Sequence, residues 1–210
     1  MNKLKLALSI FVVGGMALSS CVKHEIIPEP EPLVDLDCHF QGFINGTDLE
    51  LTQNVDGYTC IPEKEKTIVP SPDYSSAIYY SQMSSQTNPV FVKISMGSVM
   101  FDAVVTQDPT LTQFNAFFTN NLTPAYSDNA TAGFEVQYRD NAGNIWVSHQ
   151  NSTNAQSVVF SGIKQESDVY GDYSKFTCSF SCYVYKQNMT TQLWDSINIQ
   201  NAVYKGWFKR

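Results

Sequence analysis

The residues able to do chemistry in this chain are few. Of its three histidines, His24 precedes a proline-containing stretch and only His39 and His149 fall in sequence with the periodicity of folded strands. General acid–base work most often uses histidine, so there is little material for it. His149 next to Ser148, with any aspartate, could be drawn as a triad, but no G-x-S-x-G turn surrounds a serine. Cys38-His39 lacks companions at zinc spacing. Asp140-Asn141-Ala142-Gly143-Asn144 has the acidic start of a calcium loop without the later bidentate glutamate, and reads as a turn. Asp102, Asp108, Glu135 and Asp140 could supply a glycosidase-type carboxylate pair, for which separation is the diagnostic quantity. No phosphate-cradling glycine loop or dinucleotide fingerprint occurs. The expectation is therefore no metal, no cofactor and no catalytic constellation, with a carbohydrate-active hydrolase as the runner-up.

Cys21 is different in kind. Lys3 and Lys5 open the chain, and Leu6 to Leu18 form an apolar run shorter than the roughly 20 residues a permanent membrane helix needs. The run closes on Leu18-Ser19-Ser20-Cys21. This resembles the lipobox of bacterial lipoproteins, and the resemblance, covering residues 1–21, implies that Cys21 is acylated, with palmitate-type chains, and becomes the mature N-terminus after cleavage of a signal peptide 1–20. Two or more acyl chains give stable anchoring at about 0.8 kcal/mol per buried methylene. Residues 21–36 then form the lipidated cysteine and a spacer. Pro28-Glu29-Pro30-Glu31-Pro32 favours extended polyproline II, which at roughly 3.1 Å per residue lets Val22 to Asp35 span up to about 40 Å.

Loss of the signal removes Lys3 and Lys5 and no acid, so the 13 basic residues fall to 11 against 20 acidic ones, a balance of minus nine. Such a surface repels phosphate backbones, and no basic cluster with interleaved aromatics offsets it. Nucleic acid is not an expected partner.

The body, residues 37–210, is rich in Ser, Thr, Asn, Tyr, Phe and Val and broken at short intervals by Gly and Asn turns. That profile predicts one mainly β domain, an antiparallel β-sandwich of Greek-key or jelly-roll type. Predicted strands are 38–44, closed by the turn Asn45-Gly46, then 49–53, 58–61, 77–82, 90–96, 99–105, 133–139, 144–149, 157–164, 175–186 and 194–207. One short helix is expected over Pro109 to Thr119, where Leu111, Phe114, Phe117 and Phe118 recur at helical spacing. Its aromatics are read as a plug for the core.

Cys38, Cys60, Cys178 and Cys182 are candidate disulfide cysteines in a compartment where such bonds persist. Cys178 and Cys182 lie on one face of a strand, about 13 Å apart at strand rise. A disulfide needs Cα atoms within about 7 Å, so those two are not expected to pair. Cys38 and Cys60 each bridging to one of them is the leading arrangement. Buried free thiols and a lone Cys38 to Cys60 bridge are the alternatives.

The segment from Gly133 to His149 reads as a hairpin. A four-residue loop, Asp140 to Gly143, would place Tyr138 opposite Ile145 and Val136 opposite Val147, sending Phe134, Val136, Tyr138, Ile145 and Val147 to the core. Trp146 would then share the outer face with Glu135, Gln137 and Arg139, forming an aromatic platform with planar polar groups suited to sugars or peptide edges. Cover by a second sheet, the helix or a loop is the competing reading for Trp146, and equally for Trp194, Trp207 and Tyr79-Tyr80.

The lipobox, the proline spacer, the first strand Phe40-Gln41-Gly42-Phe43-Ile44-Asn45-Gly46, the Phe114 to Phe118 segment and the Gly133 to Val147 hairpin together resemble the small β-rich lipoproteins of Bacteroidota. The resemblance implies a cell-envelope location, lipid-anchored on the outer membrane, and carries no common activity. A non-enzymatic binding or envelope-assembly module, for an extracellular glycan or protein, is the expected function. A pilin-like subunit assembling by strand addition is the third alternative.

Overall fold

The computed structural model describes residues 32–210. The expected signal peptide, the acylated Cys21 and the spacer as far as Glu31 lie outside the described residues. Among the described residues, no helix is long and apolar enough to cross a membrane.

Among the described residues the fold is mainly β and antiparallel, with one α-helix. Its ten strands are β1 (His39–Ile44), β2 (Thr47–Thr52), β3 (Tyr58–Thr67), β4 (Ser75–Ser85), β5 (Phe91–Phe101), β6 (Phe134–Arg139), β7 (Ile145–Ser148), β8 (Ser157–Asp168), β9 (Gly171–Gln187) and β10 (Trp194–Lys209). Hydrogen bonding runs β2-β1-β10-β9-β7-β6-β5-β4-β3, with β8 also paired to β9. The long β9 explains how one continuous sheet makes two layers. One of its edges carries β10 throughout, whereas the other carries β8 along residues 171–181 and β7 at 184–185. The sheet divides there and folds over. Phe134 of β6 packs edge-on against Phe160 of β8 and Phe180 of β9, at ring-centroid distances of 5.7 and 5.9 Å. At the other end Ser81 of β4 reaches the Tyr204 hydroxyl of β10, Oγ to OH 3.1 Å.

Period-two alternation drives this packing, because successive residues of a strand point to opposite faces. Phe176, Cys178, Phe180, Cys182 and Val184 of β9 are all buried. Asn45 (φ 48°) and Gly46 (φ 80°) both adopt left-handed backbone, the primed-turn geometry that matches strand twist, and join β1 to β2. The predicted strands 90–96 and 99–105 are one strand, Phe91–Phe101, ending before the exposed Val104 and Val105.

Helix α1 (Leu111–Asn120) starts two residues later than predicted. Asp108, the cap that the first-turn Pro109 leads one to expect, is drawn off by Lys64 (Oδ1 to Nζ 2.6 Å) and Lys66. The cap is instead Thr110, whose hydroxyl accepts the Gln113 amide while the Gln113 side chain accepts the Thr110 amide, a capping box. Phe114 and Phe118 face inward, as the spacing predicts. The Phe118 ring stacks on Phe208 at 4.6 Å and meets Tyr79 edge-on at 5.6 Å, so the helix plugs the opening between β4 and β10.

Candidate functional site

The hairpin expected to carry the ligand face has a different register. Gln137 pairs with Val147, Tyr138 with Trp146 and Arg139 with Ile145, and the Asp140 amide donates to the Asn144 carbonyl. The loop is thus three residues, Asn141 to Gly143, with Gly143 at φ +81°. A one-residue change of register exchanges the faces of a strand. Trp146 therefore shares the inner side with Val136 and Tyr138, where it packs against the core, and Ile145 is turned outward, 50% exposed. The platform of Trp146, Gln137, Glu135 and Arg139 does not form.

Each former member has a local partner. Trp146 Nε1 donates to Asp140 Oδ2 at 2.9 Å, and Lys186 Nζ stands 5.9 Å from the indole centroid. Arg139 covers the Phe91 ring at 4.6 Å and donates to the Pro89 carbonyl. Glu135 is only 2% exposed although it points away from the core, because the 3₁₀ turn Asp128–Ala130 crosses above it. Burial pushes its carboxyl above the ordinary value, opposed by hydrogen bonds from the Gln137 amide and the Asn129 N–H. Ser148 cannot serve a triad, since its Oγ accepts the buried Val136 amide at 2.9 Å. Asp102, Asp108, Glu135 and Asp140 are dispersed. Asp108 is paired with Lys64 and Lys66, Asp140 is bound within its own hairpin loop, and Asp102 Oδ1 accepts the Val104 amide.

The expected bridges from Cys38 and Cys60 to the β9 cysteines are also absent: all four body thiols are free. Cys178 stands opposite Tyr204 on β10, and Cys182 opposite Ile199, so their nearest neighbours in the sheet are not thiols. Of the other aromatic residues, Tyr79 is fully buried, and Trp207 is buried edge-on to Tyr173 at 5.4 Å. Tyr80 donates to Glu65 Oε2 at 2.8 Å.

Among these four Trp194 is the exception, with 59% of its surface exposed. It opens β10, where the β9–β10 hairpin runs past the core and Trp194, Asp195 and Ser196 are all outside. Its indole forms one wall of a cleft of about 280 Å³ shared with His149, Asn151, Ser152, Thr153 and Tyr185. Strand parity accounts for the grouping. Tyr185 pairs with both Val147 and Ser196, so residues 147 and 149, 185, and 194 and 196 all lie on the outer face.

The loop 149–156 is held over that face by its own polar groups. Tyr185 OH lies 2.7 Å from Ser152 Oγ and accepts from Asn154 Nδ2 at 3.0 Å. The Ser152 amide and Gln156 Nε2 both donate to the His149 carbonyl, at 3.1 and 3.0 Å. His149 Nδ1 meets two competing demands, the Asn151 amide at 3.2 Å and Asp128 Oδ1 at 3.4 Å. Asp128 Oδ1 already accepts the Gln150 amide at 2.8 Å, and the Asn151 amide can only donate. Nδ1 is therefore the acceptor, which leaves Nε2–H as the ring's remaining donor. The His149 ring meets the indole edge-on at 6.4 Å.

The result is one flat apolar wall facing hydroxyl, amide and imidazole groups, with no carboxylate or ammonium lining the cleft. That combination suits stacking and hydrogen bonding to a neutral polyhydroxylated ligand. Trp194 and His149 are conspicuous in the sequence as an aromatic and a rare histidine. Tyr185 and the loop 149–156 have no local signal, since only the pairing of β7 with β9 brings them together. Among the described residues no group of three or more His, Cys, Asp or Glu side chains could hold a metal ion. No protein-family model, curated protein or solved structure matches the chain.

Proposed function

We propose that this protein is a lipid-anchored, non-enzymatic binding module of the bacterial cell envelope, and that its ligand is a neutral glycan seated against Trp194. The anchor rests on Leu18-Ser19-Ser20-Cys21. The ligand class rests on one observation, an indole 59% exposed on an outer strand face beside a pre-formed rim of uncharged donors and acceptors. Large aromatic side chains are ordinarily enclosed, and an exposed one flanked by oriented polar groups is the arrangement that recognises ligands.

The hydrolase reading draws no support from the cleft, since no acid is among its lining residues and the nearby Asp128 reaches it only through His149. Strand addition is opposed at one of the free edges. Strand β3 carries Pro62, which has no N–H to offer, followed by the alternating charges Glu63-Lys64-Glu65-Lys66, a combination that discourages a further strand.

The test is a glycan array probed with the detergent-solubilised full chain and with Trp194→Ala. Wild type should retain a set of neutral oligosaccharides, and the variant should bind them at least about tenfold more weakly, the equivalent of about 1.4 kcal/mol, with an unchanged melting temperature. Equal retention by both proteins, or no glycan retained by wild type, would reject the reading.

A further inference from the structure

We propose that Cys38 and Cys60 are a redox-active pair that closes into a single disulfide, tying the chain at the entry to β1 to the edge strand β3. The proposal is independent of the glycan reading, and its site lies on the opposite side of the sheet from Trp194.

Although 22 positions separate them in sequence, the two thiols converge on one inner corner: the register of His39 with Lys205 and Phe40 with Tyr204 brings Cys38 to Gly206, and the Ser81 hydroxyl that crowds Gly206 lies 3.4 Å from Cys60 Sγ. Three features hold them. The Cys38 amide donates to Gln53 Oε1 at 2.7 Å, which fixes the residue just before β1. Cys60 follows Tyr58 on the inward face of β3, and its Sγ lies 3.4 Å from Ser81 Oγ and 3.7 Å from Tyr204 OH. Those two hydroxyls are 3.1 Å apart. Gly206 provides the room for this cluster, since a Cβ there would fall 2.5 Å from Tyr204 Cε1 and 3.0 Å from Ser81 Oγ.

The surroundings make the two sulfurs unequal. The Cys38 S–H donating to Cys60 holds the Cys60 thiol below its ordinary value; burial opposes this, and the Ser81 and Tyr204 hydroxyls reinforce it. Cys38 is pushed the other way, by the same contact and by burial. Cys60 is also the less buried of the two. An attacking thiol is activated by its thiolate fraction and by access. Cys60 is therefore the nucleophile and Cys38 the resolving thiol.

The oxidant is an external disulfide, carried by a small molecule or by a disulfide-bearing oxidoreductase. The Cys60 thiolate attacks one sulfur of that disulfide, forming a mixed disulfide and releasing one carrier thiolate, which takes up a proton. Cys38 then loses its proton, and its sulfur attacks Cys60 Sγ, expelling the second carrier thiolate, which is protonated in turn. The two cysteines are oxidised by two electrons in total, and the carrier disulfide is reduced to two thiols. Cys178 and Cys182 lack such an arrangement: both are fully enclosed, and burial pushes both thiols up, Cys182 to about 12.

The experiment takes the purified, reduced full chain, exposes it to oxidised glutathione, alkylates it, and digests it without reduction for mass mapping. The expected product is a peptide pair linked through Cys38 and Cys60, with Cys178 and Cys182 recovered unlinked. A cross-link closing a loop of this length should raise the melting temperature of the oxidised protein by about 10 °C over the reduced one. Cys60→Ser should abolish the rise, and a Cys178→Ser, Cys182→Ser double variant should retain both the linkage and the rise. Recovery of Cys38 and Cys60 as free thiols, linkage of either to any other cysteine, or an equal rise in Cys60→Ser would overturn the proposal. The wild-type map decides by itself if a variant fails to fold.

Discussion

Replacing Trp146 by alanine should destabilise the domain, and the structure sets the size of the loss. A fully buried Phe or Trp truncated to Ala costs about 3–5 kcal/mol. Trp146 is partly buried against the core, so about 2 kcal/mol is the packing share. Its indole N–H also donates to Asp140 Oδ2 at 2.9 Å, and Asp140 in turn accepts from the amides of Ala142 and Asn144 and from Asn144 Nδ2, closing the loop between β6 and β7. Asp140 is reachable by solvent, so that bond is worth about 0.5–1 kcal/mol, less than a dry charged hydrogen bond. The total of roughly 2.5–3 kcal/mol corresponds to a fall of about 6–10 °C in melting temperature for a body of this size. Trp146→Phe keeps most of the packing and should lose only the hydrogen-bond share, about 1–3 °C by the same conversion. At Asp140 burial pushes the carboxyl up, but the hydrogen bonds from Asn144 and Trp146 outweigh it, and the folded value lies below the unfolded one. Stability from such a group is present above the unfolded pKa and lost as pH falls through the depressed folded value, so wild type and Trp146→Phe should converge in acid. Urea and thermal unfolding followed by circular dichroism measure all three proteins. If Trp146→Ala melts within about 1 °C of wild type, less than even half the packing share allows, the indole is not a core residue and the register argument fails.

Two further outcomes are expected. Radiolabelled palmitate should enter the full chain in cells and be absent from Cys21→Ser; labelling that survives the substitution would mean Cys21 is not the acylated residue. At Glu135, burial lifts the folded pKa above the unfolded one. The ionised carboxylate therefore penalises the folded state increasingly as pH rises through the unfolded pKa to the folded value, and no such penalty exists below both. Glu135→Gln keeps an acceptor for the Asn129 N–H, so it should match wild type near pH 4 and equal or exceed it at pH 7 in urea midpoints. A variant less stable than wild type at pH 7 would show that the buried charge is used, Lys93 on the paired strand β5 being the cation that favours its ionised form.

The misassigned hairpin shows where sequence reading loses its hold. In Ile145-Trp146-Val147-Ser148 alternation permits either parity, and by pattern alone two β-branched residues make the better core pair than a tryptophan and a serine. The packed domain chooses the other parity. Ser148 Oγ satisfies the buried Val136 amide, Trp146 Nε1 reaches Asp140, and Gly143 supplies the left-handed backbone of a three-residue loop. These are gains that appear only when both strands are in place. The candidate ligand site escaped for a related reason. Trp194 could be singled out, but its neighbours His149, Ser152 and Tyr185 come from three elements that are adjacent only because β9 pairs with β7 on one edge and β10 on the other.

Local pattern determined what local physics controls. Period-two alternation and turn residues specify a mainly β chain, Asn45-Gly46 specifies a tight hairpin, and Phe114 with Phe118 at helical spacing specifies one buried helical face, because each depends on backbone geometry and burial over a few residues. Long-range pairing decided everything that needs two distant segments to meet. It brought Cys38 to Cys60, covered Glu135 with a turn, enclosed Trp146 and left Trp194 in solvent. A strand's inner face is set by the partner it finds, and the energy separating one register from the next resides in contacts the chain does not make until it has folded.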